Sequence, residues 1–183
     1  GFIDAHMHIE STLCSPEELS KALLQNGTTS VICDPHELVN VRGKEALDYI
    51  LAASKNTSLD IYTMLPSSVP CSDIDTNGAG KFSAADMEGY LNDPYVIGLG
   101  EVMRVDDVVN ERPEMVEKLE LFKDMVMDGH APQVSGKVLQ AYRFADIATD
   151  HESSAYEEAI EKLRAGFYVL IREGSQAKNM EPI

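Results

Sequence analysis

The chain is poor in several things that define protein classes. It has no tryptophan, only three cysteines, and only 15 basic residues against 31 acidic ones among its 183. The resulting net charge of −16 would be repelled by phosphate backbones and anionic lipid. That argues against nucleic-acid or membrane-surface partners. No apolar run approaches the roughly 18 residues of a membrane span. Cys14, Cys33 and Cys71 are odd in number and lack metal-pair spacing, which fits reduced thiols in a cytoplasmic setting and excludes a disulfide scaffold. Such thiols pack as small hydrophobes, and none is given a role. Phosphate-binding Gly-x-x-x-x-Gly-Lys loops, Gly-x-Ser-x-Gly elbows and the His-x-Glu/Pro-Cys-x-x-Cys deaminase signature are also missing. The opening Gly1-Phe2-Ile3 is too short for a signal peptide, and a start without Met is expected of a segment of a longer protein.

What is present is a rhythm of short β-branched runs and amphipathic stretches. Strands are expected at Phe2 to His6, Thr28 to Cys33, Asp60 to Leu65, Tyr95 to Leu99, Met125 to Met127, Ile147 to Thr149 and Phe167 to Ile171. Ser15-Pro16-Glu17-Glu18 reads as a capped helix start, closed by Gly27. Further helices are expected from about Lys44 to Ala53, Ser83 to Leu91, Pro113 to about Phe122 and Gly136 to Phe144. The last begins at Ser154, with Ala159, Ile160 and Leu163 as its buried stripe and Gly166 as its end. Pro66 to Gly80 reads as a long loop. Met115, Met125 and Met127 read as core filler, and Glu157, Glu158 and Glu161 as a solvated helix face.

Seven strand–helix units without a hairpin signal imply parallel strands. An open doubly wound sheet and a barrel both fit. The polar residues favour the barrel: His6 and His8, Asp34 and His36, Glu101, His130 and His151 each fall at the C-terminal end of a different strand. In a (β/α)8 barrel those ends share one mouth. The chain is short of the roughly 250 residues of such a barrel. The fold class expected is therefore a (β/α)8 barrel truncated before its eighth strand, with residues 1 to 183 as one partial domain.

Two imidazoles two apart on a strand share a face, so His6 and His8 can approach one metal ion together. An isolated His-x-His would carry little; His130 and His151 after later strands strengthen it. Glu101, delivered by Gly98-Leu99-Gly100, is a carboxylate able to bridge two divalent ions. Imidazole and carboxylate together suit Zn, Fe or Mn. Ions there would lower the pKa of a bound water, and the chemistry implied is hydrolysis at an amide, ester or amidine-like carbon.

The segments HIES (from His8), DPHE (from Asp34), MLPSSVP (from Met64), GLGEVM (from Gly98), DGHAP (from Asp128), DHES (from Asp150) and IREGS (from Ile171) resemble, in order, those of the amidohydrolase superfamily. Within it the pattern is most similar to bacterial-type adenine deaminases. The resemblance implies hydrolysis of adenine to hypoxanthine and ammonia at two divalent metal ions. It implies that His6 and His8 hold the more buried ion, that His130 and His151 hold the second, and that Glu101 bridges them. It also implies a metal-binding, proton-shuttling Asp after an eighth strand, expected beyond Ile183, and a small β-sandwich outside the barrel. None of Asp4, Asp34, Asp128 and Asp150 matches that Asp. Asp128 and Asp150 are expected to orient the adjacent histidines or to cap loops.

His36 either touches substrate or a further ion, or is a loop histidine bonded to backbone. Glu173 either binds the purine or pairs with Arg172. Glu10 is expected to be solvated or to approach a helix, and Arg104 to neutralise nearby acids. The isolated chain is expected to be inactive, and its open barrel edges to favour a homo-oligomer. The rival readings are another amidohydrolase, such as an N-acetyl amino-sugar deacetylase, and a non-catalytic barrel that binds metal or a purine.

Overall fold

The computed structural model describes every residue except Thr76 and Gln176. Among the described residues seven strands form: β1 (Phe2–Met7), β2 (Thr28–Cys33), β3 (Asp60–Leu65), β4 (Val96–Val102), β5 (Val126–Gly129), β6 (Thr149–Asp150) and β7 (Tyr168–Val169). Eight α-helices accompany them there: α1 (Pro16–Gln25), α2 (His36–Arg42), α3 (Lys44–Ser54), α4 (Ala84–Met87), α5 (Val105–Val109), α6 (Pro113–Leu121), α7 (Gly136–Phe144) and α8 (Tyr156–Ala165). Strands β1 to β5 make one sheet in chain order, every pair parallel, and β6 pairs parallel with β7. Bonds from Ala148 N to the Met127 carbonyl (2.9 Å) and from Gly129 N to Thr149 Oγ1 (3.2 Å) join the two sets. A doubly wound sheet reverses its strand order at an inner strand. Here each strand lies beside the next, so the sheet curls as part of a barrel.

Two glycines let β4 fit. A Cβ on Gly98 would lie 2.1 Å from the Val126 carbonyl oxygen, and one on Gly100 would lie 2.3 Å from Asp34 Oδ2. Apolar side chains fill both faces of the inner strands. One core cluster joins Ile61, Val31 and Cys33 to Leu19 and Ile50 of α1 and α3. The larger runs through Leu65, Leu99 and Met127 to Phe122, Leu139 and Tyr142. All three cysteines are free thiols; Cys33 is core, and burial pushes its pKa up to about 12. The outer strands are different: Phe2 is 75% exposed and Ile3 67%.

Several expectations needed correction. α2 and α5 are additional helices. α2 follows Pro35 directly, packs its buried Val39 inward and ends at Gly43, whose φ is +59°. β4 continues to Val102, so Glu101 lies inside a strand rather than after it. Ser154 does not cap α8; Ala155 occupies that place without a side-chain bond, and the Ser154 amide is itself held by Glu158 Oε2 (3.1 Å). The buried stripe of α8 is also turned: Leu163 is 52% exposed while Lys162 is fully buried. Two carboxylates that accept from its Nζ draw Lys162 inward (Asp150 2.7 Å, Glu158 2.8 Å).

A second buried lysine, Lys118 of α6, supports the loop after β3. Its Nζ donates to the Ser67 carbonyl (2.6 Å), and Ser67 Oγ donates to the Glu101 carbonyl (2.5 Å). Burial, opposed by Glu114 and reinforced by Arg104, lowers the Lys118 pKa to about 8. The unfolded chain then holds the Lys118 proton more tightly than the folded one. Stability should rise with pH from about 8 to about 10.5 as the folded, then the unfolded, lysine loses its proton. Urea unfolding near pH 7 and near pH 10 should show a gain on the order of 2–3 kcal/mol in wild type that Lys118→Met lacks. An equal pH response in both proteins would contradict the assignment.

Candidate metal centre

Alternation along β1 puts His6 and the following His8 on one face, with Met7 on the other. Their Nε2 atoms stand 3.2 Å apart. Glu101 reaches them from β4: its Oε1 is 2.9 Å from His6 Nε2 and 2.8 Å from His8 Nε2. His151, just after β6, brings Nε2 to 3.5 Å from the same oxygen and stacks on His6 at 3.7 Å between ring centres. His130, just after β5, places Nδ1 2.7 Å from Glu101 Oε2. The five residues expected to form the centre thus converge. Strand-end position explains it: residues far apart in sequence meet wherever a curled parallel sheet gathers its C-terminal ends.

The far sides of the rings are anchored. His6 Nδ1 is 2.7 Å from Asp128 Oδ2, and His8 Nδ1 is 2.8 Å from the Asp34 carbonyl oxygen. Both partners are acceptors, so both Nδ1 atoms carry the hydrogen. In the neutral rings each Nε2 then presents a lone pair toward the other and toward Glu101 Oε1. Despite those short distances, Glu101 Oε1 makes no hydrogen bond of acceptable angle, and neither ring nitrogen of the buried His151 makes one. Buried polar atoms are almost always satisfied. Converging lone pairs without donors need a positive charge between them: a proton or a metal ion.

The titration behaviour carries the same message. Burial lowers the His6 pKa, but Asp128 and Glu101 outweigh it and raise the value to about 10. His8 is raised as well, with burial opposed chiefly by Glu101. Burial pushes Glu101 up, but its four imidazole neighbours hold it far below the usual carboxylate range. Four imidazole nitrogens gathered on one buried carboxylate are a donor set suited to a divalent transition metal. Three subsets have ligand atoms within 4.8 Å of one another: His6, Glu101 and His151; His8, His36 and Glu101; His130, His151 and Glu152.

The surrounding residues take separate roles. Asp128 orients His6 across the barrel; His151 Nδ1 lies 4.0 Å from its other oxygen, and the adjacent His130 is held through its backbone by Tyr142 Oη (3.0 Å). Asp150 touches no imidazole in a hydrogen bond; it accepts from Ala131 N (2.9 Å), Glu152 N (3.2 Å) and Ser153 Oγ (3.0 Å). His36 packs edge-on to His8, 4.7 Å between ring centres, with Nδ1 3.6 Å from Asp34 Oδ1. Burial lowers the His36 pKa, but Asp34 raises it to about 9. Glu10 binds the first turn of α2, accepting from Glu37 N (3.1 Å) and Leu38 N (3.3 Å). Arg104 pairs with Asp107 and Asp73.

Arg172 pairs with Glu152 rather than with Glu173. Glu173 is exposed and lines an open cavity of about 660 Å³ beside His6, His8, Glu37 and Arg172. Asp34 and Glu152 are the residues that the sequence reading left without a role. Asp34 is buried and accepts from the Glu101 amide (2.7 Å); its place directly after β2 was the available signal. Glu152 Oε1 is 3.5 Å from His151 Nε2, and its place next to His151 was the signal there.

A sheet curled in chain order, with a histidine–glutamate cluster at its C-terminal end, defines a metal-dependent hydrolase barrel. The chain matches the amidohydrolase family over residues 1–174 and belongs to it. It is 51% identical over its whole length to an adenine deaminase of Desulfitobacterium hafniense, covering 32% of that protein. The same comparison gives 47% and 32% with an adenine deaminase of Gluconobacter oxydans, and 48% and 35% with one of Methanoculleus marisnigri. The chain therefore spans about a third of the length of these curated relatives.

Because His6 and His8 share one oxygen of Glu101, removing both should remove tight metal retention. His6→Ala/His8→Ala protein, loaded with Mn(II) and passed through a desalting column, should keep at least about tenfold less metal than wild type. Equal retention would place the ions elsewhere.

Proposed function

We propose that the chain supplies the metal-binding portion of an adenine deaminase. Water adds at C6 of adenine, the bond from C6 to the exocyclic nitrogen breaks, and hypoxanthine and ammonia are released. The observation that carries this reading is the convergence of His6, His8, His130 and His151 on Glu101. Its substrate class is that of the adenine deaminases to which the chain is similar. The site is read as holding two divalent ions, of Mn, Fe or Zn, with His6 and His8 at one, His130 and His151 at the other, and Glu101 between them. Such ions would supply a nucleophilic water at neutral pH.

The chain's own residues have separable tasks. Asp128 keeps the hydrogen of His6 on Nδ1, so that Nε2 faces the centre. The Asp34 carbonyl does the same for His8. His36 and Asp34 form a pair able to hold a proton at the mouth, next to the cavity where adenine would enter. Glu173, on the rim, is placed to accept hydrogen bonds from a purine amine or ring N–H. The proton shuttle to the leaving ammonia is assigned to the Asp that the resemblance expects after a further strand. The proposed setting is purine metabolism in the cytoplasm, in keeping with three free thiols. Exposed Phe2 and Ile3 on β1 and Tyr168 on β7 favour association with further protein, a second copy included. No nucleic-acid or membrane partner is proposed for a chain of net charge −16.

The test is ammonia release from adenine by the longest native protein containing this chain and by the 183-residue chain alone, both loaded with Mn(II). The longer protein should deaminate adenine and leave N-acetyl amino sugars intact. The chain alone should be slower by about a hundredfold or more, the usual contribution of a positioned proton shuttle. Deacetylation without deamination would favour the amino-sugar reading, and full turnover by the chain alone would remove the need for the further Asp.

A further inference from the structure

Lys162 stands out because the apolar pattern of α8 gives no reason to bury it. Its side chain is 0% exposed, and its Nζ donates to Asp150 Oδ2 (2.7 Å) and to Glu158 Oε1 (2.8 Å). Each carboxylate turns its remaining acceptor capacity to the two loops that carry the second pair of histidines. Asp150 Oδ1 accepts from Ala131 N, the residue after His130 (2.9 Å). Asp150 Oδ2 accepts from Glu152 N, the residue after His151 (3.2 Å), and from Ser153 Oγ (3.0 Å). Glu158 accepts from Gln133 N (2.8 Å) and Ser154 N (3.1 Å). Five donors from the loops after β5 and β6 therefore end on two carboxylates, and one ammonium lies between those carboxylates.

Without that ammonium, the like charges of buried Asp150 and partly buried Glu158 would repel each other, and one carboxylate would move out. That movement releases the loop donors it holds. The two loops are then free to shift relative to each other, and with them the His130 and His151 rings. His6 and His8 stand on β1 and after it, outside this network, and are anchored separately by Asp128 and the Asp34 carbonyl.

We propose that Lys162 is a positioning residue for the half of the metal centre formed by His130 and His151, acting through Asp150 and Glu158. The proposal rests on reading those histidines as ligands. A purely structural lysine would cost stability and leave the two halves of the centre equally affected; a positioning lysine acts on one half.

The experiment is Mn(II) titration of the longest native protein containing this chain, with free Mn(II) read by electron paramagnetic resonance and folding by circular dichroism. Wild type should bind two equivalents. Folded Lys162→Met should bind one equivalent as wild type does and the other about tenfold or more weakly, the usual effect of removing a ligand's support. Two unchanged equivalents, or two equally weakened, would overturn the proposal. If Lys162→Met does not fold, Glu158→Gln decides. It keeps the Lys162–Asp150 pair and removes one anchored carboxylate. Selective weakening of one equivalent supports the proposal, and binding equal to wild type overturns it. Wild-type protein that takes up no Mn(II) would overturn the metal reading itself, which separates that failure from this one.

Discussion

A single carboxylate organises the polar interior. Glu101 is 2% exposed and has an imidazole nitrogen within 3.5 Å on four sides. Everything around it serves to keep it there. Gly98 and Gly100 let β4 lie against Val126 and Asp34. Asp34 accepts from its amide, and Ser67 donates to its carbonyl. A buried carboxylate is costly unless compensated, and neutral imidazoles with their lone pairs turned inward do not compensate it. The cluster is therefore built for added positive charge, and in an amidohydrolase barrel that charge is metallic.

The support for the cluster is layered rather than local. The histidines of β1 are oriented by groups on β5 and after β2. Those on the later loops depend on carboxylates that belong to β6 and α8. Such arrangements are common around metal sites, where a ligand's outer bonds fix its ring and tautomer. The same barrel curl that gathers the histidines around Glu101 leaves β1 with Phe2 and Ile3 exposed.

Much of this was legible in the sequence, for reasons that differ by residue. Parallel strands and a shared mouth followed from apolar runs that each ended in a polar residue. His6, His8, Glu101, His130 and His151 were found because strand ends meet in a barrel whatever their separation. α2 and α5 were not legible: short helices in βα loops bury one or two residues and show no full amphipathic period. The outward turn of Leu163 was hidden for another reason. Periodicity assumes the apolar side faces in, and here two carboxylates pull Lys162 inward instead. That Asp128 serves His6 rather than its neighbour His130 depends on which way each strand residue points across the barrel, and adjacency in sequence carries no such information.

The central claim is that the charge of Glu101, more than its shape, holds the centre together. Glu101→Gln preserves size and one acceptor oxygen and removes the charge. Metal content by plasma mass spectrometry, on wild-type and Glu101→Gln protein loaded with Mn(II) and desalted, tests this directly. The account predicts that the variant keeps almost none of the metal that wild type keeps. A Glu101→Gln protein that retains as much metal as wild type would contradict it.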